Sequence, residues 1–399
     1  MTQHVSGQAK HDILVVGDHD DRARQEFAMS LKRFTQDKLL PGLQPVFGGR
    51  ALPKFKKEHG VEPVDRHQIR KAMVGDTYFQ TYAMTNRVAQ ELLWSSVQQP
   101  LERNLDSINE TAATLSATNK APLESSSEFD VPCYVSAIDI HCMPGGYCSA
   151  ESDAGVAAGA LYDRGVYLYS MGMMGPDNDD MGRSVCNFIS RNLDGFSPTA
   201  ILDMGCTVGH STLPYKECFS HAQVTGIDVS APCVRYAHAR TAAKGLEVGF
   251  LQRDATKTNF ADGSFDLIVS HILLHETSGK AMPDVFKECY RLLKPGGYMI
   301  HADLPPFHKM GPFMQFILDN ETHYNNEPFW GAMRELDQEQ MAVDAGFTKA
   351  NVRFDNAPMA IVEQFAPDSP PEPDEQEFAA GEFAPGGGWE VLIARKDPA

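Results

Sequence analysis

The segment Ala200-Ile-Leu-Asp-Met-Gly-Cys-Thr-Val-Gly-His-Ser-Thr212 decides the fold of this chain. It predicts a buried strand that ends at an acidic residue, then a glycine turn and a helix that begins after Gly209. In an open α/β sheet, ligands bind in the crevice at the carboxyl ends of the strands. Gly205 and Gly209 allow the backbone to approach a ligand closely, and the helix start supplies free N–H groups. The segment therefore indicates a nucleotide-like ligand at a strand end.

The sequence that follows alternates short apolar runs with helical patterns, which is typical of βαβ units and a parallel sheet. The predicted fold class is α/β, a Rossmann-like, seven-stranded, mostly parallel sheet with a helical N-terminal extension. Residues 365–388 are rich in Pro, Glu and Gly and predict an acidic, mobile surface loop. The seven strands are expected near 200–204, 223–228, 247–251, 265–270, 297–303, 350–355 and 389–395.

Two long helices are predicted in the N-terminal part, over 18–40 and from about 76 to 105, because apolar residues recur there at helical spacing. Pro41 and Gly42 are expected to end the first helix, and Pro100 to interrupt the second. No catalytic group of residues is recognisable in these helices. We expect them to form a scaffold, a dimer surface or a cap over the ligand.

Polar and turn-forming residues at 116–130 predict a linker. The chain is therefore expected to have three parts. A helical region for capping or dimerisation occupies 1–130, a lid with connecting helices occupies 131–197, and the α/β domain occupies 198–399.

Composition limits the function classes. The chain has 399 residues, a formal charge of −18 and no dense Lys/Arg cluster, which disfavours a nucleic-acid partner. No run of eighteen apolar residues predicts a membrane span, and the first residues do not have the layout of a signal peptide. Eight scattered cysteines without a Cys-x-x-Cys pair indicate reduced thiols, so a cytoplasmic location is expected.

Acidic residues end several of the predicted strands. Asp228 ends the second strand, where a carboxylate is suited to accept hydrogen bonds from two ribose hydroxyls. Asp254 ends the third strand, where it can meet an adenine amino group. Residues 271–276 follow the fourth strand, and Asp303 ends the fifth.

In order and spacing, these landmarks resemble the class I S-adenosylmethionine-dependent methyltransferases, particularly the small-molecule branch of ubiquinone/menaquinone-type C-methylases. The resemblance covers about half the chain, roughly 198–350. Asp203-x-Gly205-x-x-x-Gly209 matches the first motif of the family, with Thr207 where the family has its middle glycine. A nicotinamide dinucleotide fits less well, because it needs Gly-x-Gly-x-x-Gly to hold a pyrophosphate.

The resemblance implies S-adenosylmethionine as the cofactor and 198–399 as the methyltransferase domain. The methionine part is then expected beside the glycine loop, the ribose at Asp228, and the adenine between Asp254 and Ala255. A tight turn alone, or solvated strand ends, would explain the same residues without a cofactor. The expected cofactor-binding residues are Asp203, Gly205, Cys206, Gly209, Asp228, Val229, Asp254, Ala255 and His271.

Methyl transfer is an in-line displacement on a sulfonium, and the leaving thioether is neutral. The enzyme must align the nucleophile, exclude water and often remove a proton. In this family the loop after strand four turns toward the substrate, so His275 and Glu276 are the predicted catalytic bases. Imidazole titrates near neutral pH, which suits proton removal. A histidine that caps or packs the loop explains His275 about as well.

Three residues are predicted to bind the substrate: Tyr162, Tyr169 and Asp303. The tyrosines precede strand one, where family members often fold a helix over the cofactor, and can shield a sulfonium by cation–π contact. A buried helix face explains the tyrosines equally, and a turn cap explains Asp303. Aromatic residues over 307–330 are expected to form a substrate wall or plain core.

No metal site is predicted. His271 and His275 lie four residues apart and offer two ligands without a third. His141, Cys142 and Cys148 match no common zinc spacing, so we expect them in the core or lid.

The sequence thus predicts methyl transfer from S-adenosylmethionine to a small-molecule O, S or C nucleophile, in a chain that forms a monomer or a homodimer. Two alternatives stay open. One is a non-catalytic, cofactor-binding partner subunit, and the other is transfer of a different group, such as aminopropyl, on the same fold.

Overall fold

The structure is a computed structural model that describes residues 7–150, 152–365 and 387–399. Most of the predicted acidic loop lies outside the described residues. The strands are β1 Leu123–Glu124, β2 Ala200–Met204, β3 Gln223–Asp228, β4 Gly249–Gln252, β5 Phe265–His271, β6 Leu293–Asp303, β7 Val352–Pro358 and β8 Gly388–Arg395. The helices are α1 His19–Phe34, α2 Leu43–Val46, α3 Leu52–His59, α4 Arg66–Met73, α5 Thr77–Thr118, α6 Cys133–Ser136, α7 Ala157–Tyr169, α8 Asp180–Asn192, α9 Leu213–Cys218, α10 Ala231–Ala243, α11 Met282–Leu292, α12 Pro312–Leu318, α13 Asn320–Tyr324, α14 Trp330–Met333, α15 Gln338–Ala345 and α16 Ala360–Phe365.

The strands form one sheet in the order β1-β4-β3-β2-β5-β6-β8-β7. The pairs from β1 to β6 are parallel, and β8 runs antiparallel to both β6 and β7. The predicted α/β class and the mostly parallel sheet are confirmed. From β2 the chain adds β3 and β4 on one side and then returns to add β5 on the other. This reversal opens a crevice between the carboxyl ends of β2 and β5.

Alternation along β2 places successive side chains in two different cores, because side chains of a strand point to opposite faces. Ile201 packs with residues of α8 and α10 on one face. Leu202 and Met204 pack with residues of α11 on the other. All three are buried, so the segment that decides the fold lies at the centre of a sheet covered on both sides.

The sheet has eight strands rather than seven. The additional strand, β1, lies inside the segment predicted as a linker, with Leu123 opposite Phe250 and Glu124 opposite Leu251. A strand of two residues is too short to show an alternating pattern, which is why periodicity does not reveal it.

The helix α5 runs for 42 residues and passes through Pro100, so the predicted interruption is wrong. Proline has no N–H to donate to the carbonyl of the residue four positions earlier. That carbonyl belongs to Ser96, and it accepts a hydrogen bond of 3.2 Å from Gln25 Nε2 of α1. The lost backbone hydrogen bond is therefore replaced by a side chain from another helix.

Two further helix ends differ from expectation. Pro41 and Gly42 do not end the helical conformation, because a π-helical turn and a 3₁₀ turn connect α1 directly to α2. After Gly209, residues 210–212 form a turn, and the helix α9 begins only at Leu213 and lasts six residues. None of the described helices combines the length and the apolar character that crossing a membrane requires.

Candidate functional site

A cavity lies at the carboxyl ends of the central strands, at the point where the strand order reverses. Including its open mouth, it has a volume of about 730 Å³. Its floor comes from the ends of β2, β3, β4 and β5, and residues from the 134–162 region cover it. The lining residues are Tyr134, Val135, Tyr147, Tyr162, Gly205, Thr207, Ile227, Asp228, Val229, Arg253, Asp254, Ala255, His271, Ile272, Leu273, Glu276, Thr277 and Val285.

The glycine loop after β2 borders this cavity. Gly205 and Gly209 both have left-handed backbones, with φ of 75° and 77°. A Cβ on Gly205 would come within 2.8 Å of Leu273, and one on Gly209 within 3.0 Å of Phe250. Thr207 also has a positive φ, 44°, although it is not a glycine. At Thr207 the loop therefore has a backbone conformation that a side chain makes costly.

Asp228 is fixed by the loop that it faces. Its Oδ2 accepts the Thr207 N–H at 3.0 Å, and its Oδ1 accepts the Ser230 N–H at 2.8 Å. Each carboxylate oxygen keeps a second lone pair for a ligand hydroxyl. Burial raises the pKa of Asp228 to about 6, although the two backbone hydrogen bonds oppose the rise.

Asp254, Ala255 and Val229 line the neighbouring part of the cavity. Oδ1 of Asp254 accepts hydrogen bonds of 2.8 Å from both the N–H and the hydroxyl of Thr256. These contacts fix the carboxylate at the end of β4. The predicted ribose and adenine residues therefore border one continuous space.

Asp203, Cys206 and Gly209 are predicted cofactor residues that lie behind the cavity wall. Asp203 is buried, accepts a hydrogen bond from the Thr212 hydroxyl, and lies 3.2 Å from His271 Nδ1. His271 does line the cavity, and its Nε2 contacts the Tyr215 hydroxyl at 2.9 Å. In this arrangement Asp203 orients a residue of the wall.

The two predicted bases have different environments. Glu276 lines the cavity and accepts a hydrogen bond of 2.7 Å from the Tyr147 hydroxyl. His275 is buried, with Nδ1 2.7 Å from Asp303 Oδ1 and its ring 4.9 Å from the Trp330 ring. Asp303 also accepts the Leu274 N–H. His275 and Asp303 thus hold the turn that carries Glu276, and neither lines the cavity.

The predicted substrate tyrosines lie in two different cavities. Tyr162 lines the cavity described above, with its ring 5.6 Å from that of Tyr147. Tyr169 lines a second cavity of about 650 Å³, where Lys32 Nζ lies 3.4 Å from the Tyr169 ring centroid. The structure therefore brings only one of the two tyrosines to the strand ends.

The comparisons with known proteins agree with this geometry. Residues 201–297, from β2 to the start of β6, match the family model described as a methyltransferase domain. The chain thus carries a segment that is similar to methyltransferase domains. The match begins in the segment that decides the fold. It includes the glycine loop after β2, Asp228, Asp254 and residues 271–276.

Curated relatives match this chain over part of their length. The chain is 34% identical over 110 residues to the demethylmenaquinone methyltransferase of Thermus thermophilus, covering 28% of this chain and 49% of that protein. It is 29% identical over 150 residues to phosphoethanolamine N-methyltransferase 1 of Arabidopsis thaliana, covering 37% and 28%. The chain spans about half, or less, of the length of these relatives.

Among solved structures, phosphoethanolamine N-methyltransferase 2 of Haemonchus contortus, in complex with phosphomonomethylethanolamine and S-adenosylhomocysteine, is similar to this chain. The identity is 18%, the TM-score is 0.43, and the alignment covers 59% of this chain and 58% of that one.

Sequence reasoning missed several residues around the cavity. Tyr134 and Val135 of the four-residue helix α6, together with Tyr147, line the cavity, but these segments are too short to show a periodic pattern. Of the aromatic residues over 307–330, which were expected to form a substrate wall or core, Phe316 and Trp330 pack as core. Phe316 contacts Phe79 of α5, and Trp330 donates a hydrogen bond to the Leu318 carbonyl.

Proposed function

We propose that this chain binds S-adenosylmethionine at the carboxyl ends of β2–β5 and transfers its methyl group to a small molecule. Asp228 carries the proposal. It is a partly buried carboxylate at the end of β3, with one oxygen fixed by the Thr207 N–H of the glycine loop and the other by the Ser230 N–H. This arrangement suits a ligand with two adjacent hydroxyls, and it lies within a segment that matches a methyltransferase domain.

Different parts of the cavity would hold different parts of the cofactor. Asp228 would bind the ribose, Asp254 and Ala255 the adenine, and the backbone at Gly205 the methionine part. When bound, S-adenosylmethionine supplies a methyl group on a sulfonium. The aromatic rings of Tyr147 and Tyr162 cover the cavity, exclude water and favour a cation by cation–π contact.

Glu276 is the residue we propose to accept a proton from the methyl acceptor. It is the carboxylate of the turn after β5 that borders the cavity, and the Tyr147 hydroxyl orients it. His275 acts as a positioning residue, because its bond to Asp303 fixes the turn on which Glu276 lies. Oxygen, sulfur and carbon nucleophiles all fit this role, since each can lose a proton on methylation.

A homodimer is part of the proposal, supported by apolar side chains on the surface of the N-terminal helices. Phe27 of α1 is 61% exposed and Met84 of α5 is 60% exposed. Light scattering on the purified chain would measure the mass, and a monomer at all concentrations would contradict this point. The cytoplasmic location stays a prediction.

The function is tested by cofactor binding followed by methyl transfer. Calorimetric titration with S-adenosylmethionine and S-adenosylhomocysteine should show binding to the purified chain. Asp228→Asn should weaken that binding by about 10- to 100-fold, because hydrogen bonds to a charged group contribute about 1.5–3 kcal/mol each. Asp194→Asn, a change at an exposed residue away from the cavity, is the matched control.

Transfer of labelled methyl groups to a metabolite extract then separates an enzyme from a binding partner. Glu276→Gln should retain cofactor binding and lower the rate of transfer. Absence of cofactor binding by the wild-type chain would overturn the proposal. Binding without transfer to any extract would favour the non-catalytic partner.

A further inference from the structure

Glu276 also belongs to a group of four potential metal ligands. His141, His275, Glu276 and Glu327 each offer one nitrogen or oxygen atom, and these atoms lie within 4.8 Å of one another. Three of the residues are buried, and Glu276 is partly buried because it also borders the cofactor cavity. In the described part of the chain, this is the one cluster of histidine, cysteine and carboxylate groups with metal-ligand spacing.

His141 contacts both glutamates of this group, with Nε2 3.0 Å from Glu276 Oε1, but two other buried atoms of the group have no hydrogen-bond partner in the described residues. His275 is 0% exposed, and its Nε2 has no hydrogen-bond partner among the described residues. Glu327 is also 0% exposed. Its Oε1 contacts His141 Nδ1, while its Oε2 has no hydrogen-bond partner in the described residues. Burying polar atoms in this way is costly unless a ligand satisfies them.

Asp303 determines which nitrogen of His275 is available. A carboxylate accepts hydrogen bonds, so the 2.7 Å contact with Asp303 Oδ1 places the proton on His275 Nδ1. The lone pair is then on Nε2, which faces the group. A metal-binding histidine nearly always donates its other N–H to a carboxylate or carbonyl, which fixes the ring and raises the basicity of the ligating nitrogen.

The backbone at His141 is held in a costly conformation. His141 and Cys142 have φ of 56° and 59°, a left-handed region that residues with a Cβ seldom adopt. The His141 carbonyl accepts hydrogen bonds from Gln90 Nε2 at 3.0 Å and from Trp94 Nε1 at 2.7 Å, both from α5. Such strain persists where surrounding structure fixes it, and it is concentrated at functional sites. In this turn it directs the imidazole at both glutamates.

The charge in this group favours a cation. Two carboxylates meet two imidazoles, and neither lysine nor arginine is among the four residues. The buried Glu321 adds a further carboxylate close enough to interact with Glu327. Two imidazole nitrogens and two carboxylate oxygens form a donor set that suits Zn²⁺, Fe²⁺ or Mn²⁺.

We propose that His141, His275, Glu276 and Glu327 bind one divalent transition-metal ion beside the cofactor cavity. This goes beyond the proposed function, because binding of the ion does not require methyl transfer. Glu276 would bind the ion through one carboxylate oxygen and keep the other to accept the proton, and the bound cation would stabilise the deprotonated oxygen of the acceptor. That consequence rests on the proposed function and favours oxygen among the nucleophiles left open.

Metal analysis of the whole chain, purified without chelator, is the first test. We expect one ion per chain. After removal of metal by a chelator, titration with Co²⁺ should produce visible absorption bands that saturate at one equivalent and disappear when Zn²⁺ competes. No bound metal together with a Co²⁺ Kd above about 1 mM would overturn the proposal, and the group would be an internal ion-pair cluster.

Variants assign the ion to these residues. Glu327→Gln should lower Co²⁺ affinity by about 100-fold or more, and Glu327→Asp, which keeps the carboxylate, by less. The matched control is His238→Gln. His238 is also buried with one unpartnered ring nitrogen, but its other nitrogen contacts the Ala121 carbonyl and no carboxylate is part of its surroundings. Equal Co²⁺ affinity in Glu327→Gln and the wild type would overturn the assignment.

Two further readouts keep the outcomes distinct. Thermal melting of each chelated variant shows whether it folds. If Glu327→Gln does not fold, the Co²⁺ titration is carried out on Glu327→Asp instead. Titration with S-adenosylmethionine on the same samples separates the two proposals. Loss of metal with intact cofactor binding supports a separate metal site, whereas metal binding without cofactor binding would overturn the proposed function alone.

Discussion

Two buried polar clusters in this molecule differ in how completely their carboxylates are satisfied. Asp163 of α7 is 1% exposed, and its carboxylate contacts His11 Nε2 at 2.8 Å, His210 Nε2 at 2.7 Å and the Tyr236 hydroxyl at 2.8 Å. The group formed by His141, His275, Glu276 and Glu327 has more carboxylates and leaves buried atoms without partners. The difference teaches that burial alone does not make a carboxylate a candidate cation ligand, whereas a buried carboxylate oxygen that lacks a donor does.

The Asp163 cluster connects parts of the chain that are distant in sequence. His11 comes from the N-terminal segment, His210 from the turn after the glycine loop, and Tyr236 from α10. Burial raises the pKa of Asp163, but the neighbouring histidines and Arg240 outweigh this effect and hold the pKa well below its usual value. We interpret the cluster as structural, because one carboxylate faces an excess of donors.

The largest expected effect is the loss of stability in Asp163→Ala. Removing one partner leaves several buried donors unpaired, so the free energy of unfolding should fall by about 3–5 kcal/mol. Urea unfolding followed by circular dichroism measures it, with the exposed Asp194→Ala as the control. A loss below about 1 kcal/mol would show that this cluster is not the structural one of the pair.

Glu327→Gln should behave differently in the chelated protein. The carboxylate contacts one histidine and leaves Oε2 without a partner, so removing its charge should lower the unfolding free energy by less than Asp163→Ala does. With metal at a hundred times its Kd, the wild type should gain about 2.7 kcal/mol and the variant should not. Unfolding with and without metal measures both effects. A loss in the chelated variant as large as that of Asp163→Ala would break the comparison.

The strands of the sheet and the acidic residues at their ends could be predicted from local sequence patterns. β2 and β3 lie where the sequence predicted them, and the other predicted strands lie within a few residues, because a buried strand is a short apolar run with clear ends. Asp228 and Asp254 line the cavity because the ends of parallel strands meet at one edge of the sheet. These residues needed no knowledge of distant contacts.

The features of the fold and the site that were not predicted depend on contacts between residues that are distant in sequence. Pro100 was expected to interrupt α5, and the donor that replaces its hydrogen bond, Gln25, lies 71 residues from Ser96. His141 and Glu327 meet only in the folded chain, and neither belongs to a motif. His275 was predicted as a base because of its position in the loop, but its orientation is set by Asp303 on β6. No local spacing reveals such orientations.

The smallest predicted effect concerns the ionisation of Asp228. The surroundings of this carboxylate offer fewer donors than those of Asp163. It has two backbone donors and no cation, and burial raises its pKa to about 6. A protonated carboxyl is a weaker acceptor for ribose hydroxyls. If binding requires the ionised form, affinity falls about tenfold for each pH unit below the pKa, so S-adenosylmethionine should bind about tenfold more weakly at pH 5 than at pH 7.

Titration with S-adenosylmethionine between pH 5 and 7 measures this dependence, and Asp228→Asn is its control because an amide does not titrate. The variant should bind weakly at every pH in this range, with a flat profile. Parallel slopes in the two proteins would assign the titration to another group and remove Asp228 from the ribose site. A slope confined to the wild type would show that a partly buried carboxylate held by backbone donors alone, unlike Asp163, retains its proton near pH 6 until a ligand supplies further donors.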